Sequence, residues 1–391
     1  MSARLGLPPE WRDLAPVMLT AALVGMSISL AVPLLSLVLE RAGVASLGIG
    51  LNTAANGLGI FLVAPFVSRL VAALGVVGCF RLALLVCAGV MLLFPLWVDP
   101  WLWFALRLVL GAAVSLMFVL SEAAVNALTP DNIRGRVLGV YATLFSLGFV
   151  AGPLVLVLAG SVGWMPFLLA AGLFVVGLVP VQLLGPAEHR LQPRGHGTHR
   201  LVDTWRVAPL AMGGVFVYAV LEAAQFALLP IYALGRGMSE TVAAGLLSVW
   251  LSGNVLLQYP LGWLADRYTA RRVMGGCAAL SLLGLLAMPA AADSPRALWP
   301  LLVVMGGMMG GLYTLALTQV GERFRGADLT RANTAFVITF QLGTIFGPPY
   351  AGAAMHLAGM SSFPLALGLP VATLAAAVWL GGRAVAVRGL P

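Results

Sequence analysis

Apolar runs of about 20 residues recur along the whole chain, broken only by short polar segments. Each is long enough to cross a hydrocarbon layer of ~30 Å at 1.5 Å per residue as a helix. Such a run satisfies its own backbone hydrogen bonds in lipid, so the pattern predicts a bundle of spanning helices and little else. Spans are expected near 15–39, 46–70, 77–97, 101–129, 137–160 and 164–185, and again near 207–235, 241–265, 272–292, 298–320, 332–358 and 362–386. Charged residues make up only 9% of the 391, against roughly a quarter in an average soluble chain, which excludes an ordinary globular protein.

The charges fall in the breaks, and their distribution sets the orientation. All 22 basic residues are arginine, for a formal net charge of +8. With both termini in the cytoplasm, eighteen of them lie in inner segments and three, Arg41, Arg236 and Arg296, in outer loops. The remaining one, Arg107, is inside a span. This placement is a topology signal and speaks against a nucleic-acid-binding face. The first 14 residues lack a cleavable-signal pattern, so the first span is expected to stay as an anchor. The three cysteines, Cys79, Cys87 and Cys277, sit in apolar runs without CxxC spacing and give neither a disulfide framework nor a zinc site.

Between spans six and seven lies the longest polar stretch, with Pro, Gly and His, read as a cytoplasmic linker over 186–206 between a half at 1–185 and a half at 207–391. The halves repeat. A shift of 195 residues superposes Gly152-Pro153 on Gly347-Pro348, Gly148 on Gly343, Phe145 on Phe340, Pro65 on Pro260 and Gly111 on Gly306. The fold class expected is therefore all-α integral membrane, twelve helices in two pseudo-symmetric six-helix bundles. Like-oriented repeats are related by an axis along the membrane normal, with a substrate site expected where they meet.

Two segments carry recognisable motifs. GWLADRYTARRV, residues 262–273, places Asp266 near a helix end with Arg267, Arg271 and Arg272 beside it. RLVLGAAVSLMFVLSEAAVNALTPDNIRGR, residues 107–136, sets Arg107 and Gly111 in span four, and Gly148, Gly152 and Pro153 follow in span five. Together these resemble the major facilitator superfamily, and Arg107, Glu122, the NIRGR loop and the Gly-Pro helix are similar to its YcaD-like branch. The resemblance covers essentially the whole chain. It implies alternating access between two halves, with Asp266 and the neighbouring arginines as a cytoplasmic latch that parts when the inner side opens. Solvated positive-inside charges are the other reading of that loop. In the first half the equivalent positions, Val71 and Ala72, have lost the Asp-Arg pair.

Ionisable residues within spans are costly and point to cavities or partners. Arg107 lies ~9 Å inside span four, facing a cavity or snorkelling to the outer interface. Glu122 is ~22 Å further along the same helix, offset by only ~60°, so both can face one cavity; a packed carboxylate bonded to Ser121, Asn126 or backbone is the alternative. Glu222 falls near the bilayer midplane, where an ionised carboxylate must be protonated part of the time, paired or hydrated, the properties of a proton relay. A structural buried Glu stays open beside that reading. Gln225 shares its face, and Pro230 can free carbonyls toward a cavity. Neither Glu222 nor Gln225 belongs to a pattern of the resembled branch. Asn56, Asn254, Gln258, Tyr313, Gln319 and Gln341 either line the same cavity or act as polar packing between helices.

The expected function is secondary active transport of a small organic solute, coupled to protons through Glu222 first and Glu122 second. The setting is a bacterial inner membrane, multi-pass, with both termini cytoplasmic and the chain a monomer. Partners are the solute, protons and lipid, with no nucleic acid. No cofactor or metal site is expected, and no Walker A loop, HExxH or catalytic triad supports ATP-driven transport or enzymology. Two alternatives are copper transport through Met305, Met308, Met309, His356 and Met360, and a non-transporting receptor or assembly factor on the same scaffold.

Overall fold

The computed structural model describes residues 9–129, 134–184 and 201–387, and among these the only regular elements are helices. In chain order they are α1 (Pro9–Arg41), α2 (Ser46–Val63), α3 (Val67–Leu93), α4 (Pro100–Leu128), α5 (Arg134–Ala159), α6 (Met165–Val176), α7 (Leu178–Gln182), α8 (Leu201–Val207), α9 (Pro209–Gly235), α10 (Glu240–Arg267), α11 (Ala270–Ala291), α12 (Pro295–Arg323), α13 (Gly326–Ala358) and α14 (Ser362–Val387). Ten stretches qualify as membrane spans by length and composition. One of them, Ser46–Leu96, carries both α2 and α3, and α13, with Asp328 and Arg331 in its first turns, completes a twelve-helix arrangement in which α6 and α7 form one broken crossing.

Two boundaries differ from the sequence reading. The break between spans two and three is not a polar loop: helix runs to Leu74, the chain turns at Gly75 (φ 70°, ψ 173°), and helix resumes. Only glycine takes that backbone conformation without strain, so one residue replaces a loop. The polar stretch 186–206 ends in helix α8, while residues 185–200 lie outside the described ones. There Trp205 donates its Nε1 hydrogen to Thr339 Oγ1 on α13 at 3.1 Å and packs on the core of Ala211, Val215, Ala316 and Phe336, an anchor that a count of polar residues overlooks.

The described residues form two compact units, one of residues 9–44, 55–129 and 134–184, the other of 45–54 and 201–387. In the first, α1 packs chiefly on α5, and α3 on α4 and α6. Trp103, wholly buried, anchors the start of α4 by donating to the Trp97 carbonyl at 2.8 Å and standing edge-on to Phe94. In the second, α9 packs on α13 and α12, α10 on α12, and α11 on α12 and α14.

Glycines set the helix separations. A Cβ on Gly111 of α4 would land on the Asn56 carbonyl of α2, and one on Gly306 of α12 on the Trp250 carbonyl of α10. Gly148 and Gly152 of α5 meet the carbonyls of Ala22 and Met26, as Gly343 and Gly347 of α13 meet those of Phe216 and Val220. Small residues let backbones approach where lipid supplies no hydrophobic drive. These contacts also correct the repeat: α4 and α5 map to α12 and α13 at 195 residues, but α1 and α2 map to α9 and α10 at 194 (Ala22 to Phe216, Met26 to Val220, Asn56 to Trp250).

Candidate functional site

In the first unit the polar site is built on α4. Arg107 is 1% exposed and lines a cavity that admits about one water molecule, together with Ile28, Ala31 and Val32 of α1, Asn56 of α2, Leu110 and Val114 of α4, and Phe174 of α6. The guanidinium does not snorkel. Asn56 Oδ1 is buried in the same place without a partner among the described residues. Glu122 does not share this cavity: it is exposed and lies within electrostatic range of Tyr141 on α5. The small angular offset on α4 put both side chains on one stripe, but the cavity lies at the Arg107 end of it.

In the second unit the polar site is built on α9. Glu222 is at the midpoint of this 27-residue helix, and its Oε1 accepts a hydrogen bond from the Tyr218 hydroxyl, one turn earlier, at 2.7 Å. Asn254 of α10 is close enough to interact with the same hydroxyl, and it in turn accepts a hydrogen bond from Gln258 Nε2 at 3.3 Å. A polar string therefore runs from exposed Gln258 to the carboxylate. Tyr313 of α12 places its ring 5.4 Å from Tyr218, 5.3 Å from Phe336 and 6.0 Å from Phe340. Gln225, fully buried, has neither amide atom partnered among the described residues, and the same holds for Trp250 Nε1.

Of the sequence candidates, Glu222, Asn254 and Tyr313 are thus brought together, and Arg107 with Asn56. Gln341 accepts from Thr344 on its own helix at 3.2 Å and has no hydrogen bond to Glu222 among the described residues. Gln319 is buried against Met274. Tyr218, Phe336 and Phe340 were missed. An aromatic one turn before an intramembrane carboxylate was the available signal for Tyr218, whereas the two phenylalanines carry none in sequence.

The loop after α10 is ordered by contacts other than its acid. Arg271 donates to the Val378 carbonyl of α14 at 2.6 Å, and Arg267 lies 5.7 Å over the Trp263 ring. Asp266 and Arg272 are exposed, and among the described residues Asp266 has no ion pair. The methionines serve packing: Met305 fills the space beside Gly284, Met360 that beside Gly235, and His356 is exposed. Among the described residues no three His, Cys, Asp or Glu side chains are grouped to hold a metal ion.

Twelve apolar helices, one with Glu222 at its midpoint and another with Arg107 buried in its first third, define a multi-pass membrane protein. The Major Facilitator Superfamily model matches residues 17–245 and 210–389, and the chain belongs to that superfamily. It is 27% identical over 351 residues to the uncharacterized MFS-type transporter YfkF of Bacillus subtilis (strain 168), covering 87% of this chain and 88% of the relative. It is 24% identical over 346 residues to the uncharacterized MFS-type transporter YcaD of Salmonella paratyphi B, covering 87% and 89%. Among solved structures, the nucleoside transporter NupG superposes with a TM-score of 0.75 at 15% identity over 96% of this chain and 99% of that one. A bacterial homologue of the human lysosomal transporter Spinster, inward-facing and occupied, gives 0.75 at 15% identity over 97% and 98%.

Proposed function

We propose that this protein is a proton-coupled secondary transporter that moves a small organic solute by alternating access between halves at 1–185 and 207–391, with Glu222 the principal proton carrier and Glu122 the second. The observation that carries the reading is Glu222 itself. It sits at the middle of a spanning helix, hydrogen-bonded by Tyr218, with no cationic side chain paired to it among the described residues. A lone carboxylate at that depth is neutral, hydrated or matched by a ligand charge, and a group that alternates among these conditions is what coupling needs. Gln225 and Trp250 support hydration nearby, since a buried polar atom without a protein partner costs ~1–3 kcal/mol unless water reaches it.

The setting is a bacterial inner membrane with both termini inside and the chain acting as a monomer, supported by the eighteen-to-three arginine asymmetry. The three native cysteines are buried, so single cysteines introduced at Ser294 and Thr269 report sidedness cleanly. An impermeant thiol reagent on intact cells should modify the first and spare the second; the reverse pattern would overturn the orientation. Asp266, with Arg267, Arg271 and Arg272, forms the inner latch of one state of the cycle. In that case Asp266→Asn should shift spin-label distances across the inner face, and an unchanged distribution would leave the loop a topology signal only.

The decisive experiment is a thermal-shift screen of the purified protein against a metabolite and drug library at two pH values, followed by flux of the hits into liposomes under an imposed pH gradient. A ligand stabilises the state it binds according to its occupancy. Uptake or extrusion driven by the gradient in wild type and absent in Glu222→Gln is the expected result. Gradient-driven transport that survives the substitution would place coupling elsewhere.

A further inference from the structure

The second unit contains more recognition chemistry at Glu222 than proton carriage needs. Its carboxylate takes one hydrogen bond, from Tyr218, and its other oxygen has no partner among the described residues. The tyrosine that holds it belongs to a cluster of three aromatic rings from three helices, Tyr218 of α9, Tyr313 of α12 and Phe340 of α13, with centroids 5.4–6.2 Å apart. Tyr218 and Phe336 behind them are almost closed, at 6% and 2% exposure, whereas Glu222, Tyr313 and Phe340 are only half-buried and keep accessible surface. Aromatic rings concentrate negative charge on their faces, and a carboxylate beside them adds a full charge, so the combination attracts a desolvated cation and repels an anion.

The first unit shows that the fold does not require these groups. By the glycine contacts, Tyr218, Glu222 and Gln225 occupy the places of Val24, Ile28 and Ala31, where the same helix packing is made with aliphatic side chains. Among the described residues, moreover, no cationic side chain is paired with this carboxylate. The arginines of α10, α12 and α13 lie within two turns of a helix end, as do Glu240, Asp266, Glu322, Asp328 and His356. Around the Tyr218–Glu222 pair, the titratable groups among the described residues are Tyr218 on the same helix and Tyr313 from α12, whose ring lies beside Tyr218; α10 offers neutral Asn254, α13 offers Phe336 and Phe340, and α14, which also packs on α9, has no acid, histidine or tyrosine.

We infer that this site binds an organic cation, an amine or quaternary ammonium or phosphonium with apolar substituents, whose charge sits at Glu222 and whose substituents lie on the Tyr313 and Phe340 rings. Because the same carboxylate is the proton carrier, an inference that rests on the function proposed above, cation and proton exclude each other there. Binding to the protonated site releases that proton to water and leaves a carboxylate-cation pair. Exchange of the two across the membrane makes the protein a cation-proton antiporter.

The test uses the full-length protein in detergent or nanodiscs, with tetraphenylphosphonium and 1-methyl-4-phenylpyridinium as probes and tetraphenylborate as the size-matched anion. Equilibrium binding of at least one cation should weaken as pH falls, by up to about tenfold per unit where the site is protonated, and calorimetry in two buffers of different ionisation heat should show proton release. Glu222→Gln and Tyr313→Ala should each weaken binding at least about tenfold, Glu222→Asp should retain most of it, and tetraphenylborate should show no dependence on Glu222. Unfolding temperatures of the variants separate loss of the site from loss of the fold. Absence of Glu222-dependent binding for both cations in a folded wild type, or binding without proton release, overturns the inference. If a neutral or anionic solute instead shows Glu222-dependent, gradient-driven flux, proton-coupled transport stands and the cation assignment alone falls.

Discussion

The two units use the same glycines to bring the same helices together and then place opposite charges in the pocket so formed. In the first, α1 presents Ile28 and Ala31, α2 presents Asn56, and α4 supplies Arg107. In the second, the matching places are Glu222, Gln225, Trp250 and Leu302. Phe226 stands edge-on to Trp250 at 6.0 Å, and Met305 and Met309, the matches of Leu110 and Val114, are wholly buried, so the two linings differ in side-chain type as well as in charge. Repetition preserved the residues whose absence of a side chain sets backbone distance. The pocket lining was free to diverge, because a buried surface accepts either aliphatic or polar groups once each polar group finds a role.

The sharpest way to break the comparison is at the shared contacts. Gly111→Val and Gly306→Val should each abolish recovery of folded protein, since the new side chain meets a backbone carbonyl that cannot move aside. Gly89→Ala and Gly276→Ala, in open surroundings, should change the unfolding temperature little or raise it slightly. If only one of the first pair is damaging, the two units are not held by the same device.

Charge comes next. Glu222→Gln should eliminate pH-driven accumulation while solute exchange persists, measured in liposomes as net flux against counterflow; equal loss of both would make the carboxylate structural. Arg107→Met, which keeps much of the volume, should lower transport by about tenfold, or ~1.4 kcal/mol, at a nearly unchanged unfolding temperature. Leu302→Met at the matching position should leave both unaltered within about 1.5 kcal/mol. Collapse of stability in Arg107→Met would assign the arginine to packing. The smallest effect is expected at Glu122: as an exposed carboxylate it is easy to hydrate, and Glu122→Gln should reduce flux by no more than a few-fold.

Glu222 was legible because a carboxylate in an apolar run is conspicuous wherever the helix goes, and the same holds for Arg107. What surrounds them was less so. Asn56 and Tyr313 were among several polar span residues of equal standing in sequence, and only packing separated them from Gln341, which bonds along its own helix, and from Gln319, buried against Met274. Phe336 and Phe340 looked like any lipid-facing phenylalanine. Glu122 shares the stripe of Arg107 but not its small cavity, because periodicity gives the direction of a side chain on its helix and not how far the neighbouring helices extend over it.

The sequence by itself determined the membrane environment, the helical class and the duplication, because these follow from local properties: the length of apolar runs, backbone hydrogen bonds closed within each run, and a repeat spacing. Tertiary structure alone decided the one-residue difference in that spacing between α1–α2 and α4–α5. It also turned Trp205 into an anchor, gathered Tyr313 and Phe340 about the tyrosine that bonds Glu222, and left an arginine and Asn56 lining one small cavity. Each depends on which residues of separate helices arrive at the same depth, and helices that are uniformly apolar on every side carry little sequence record of their rotation or their partners.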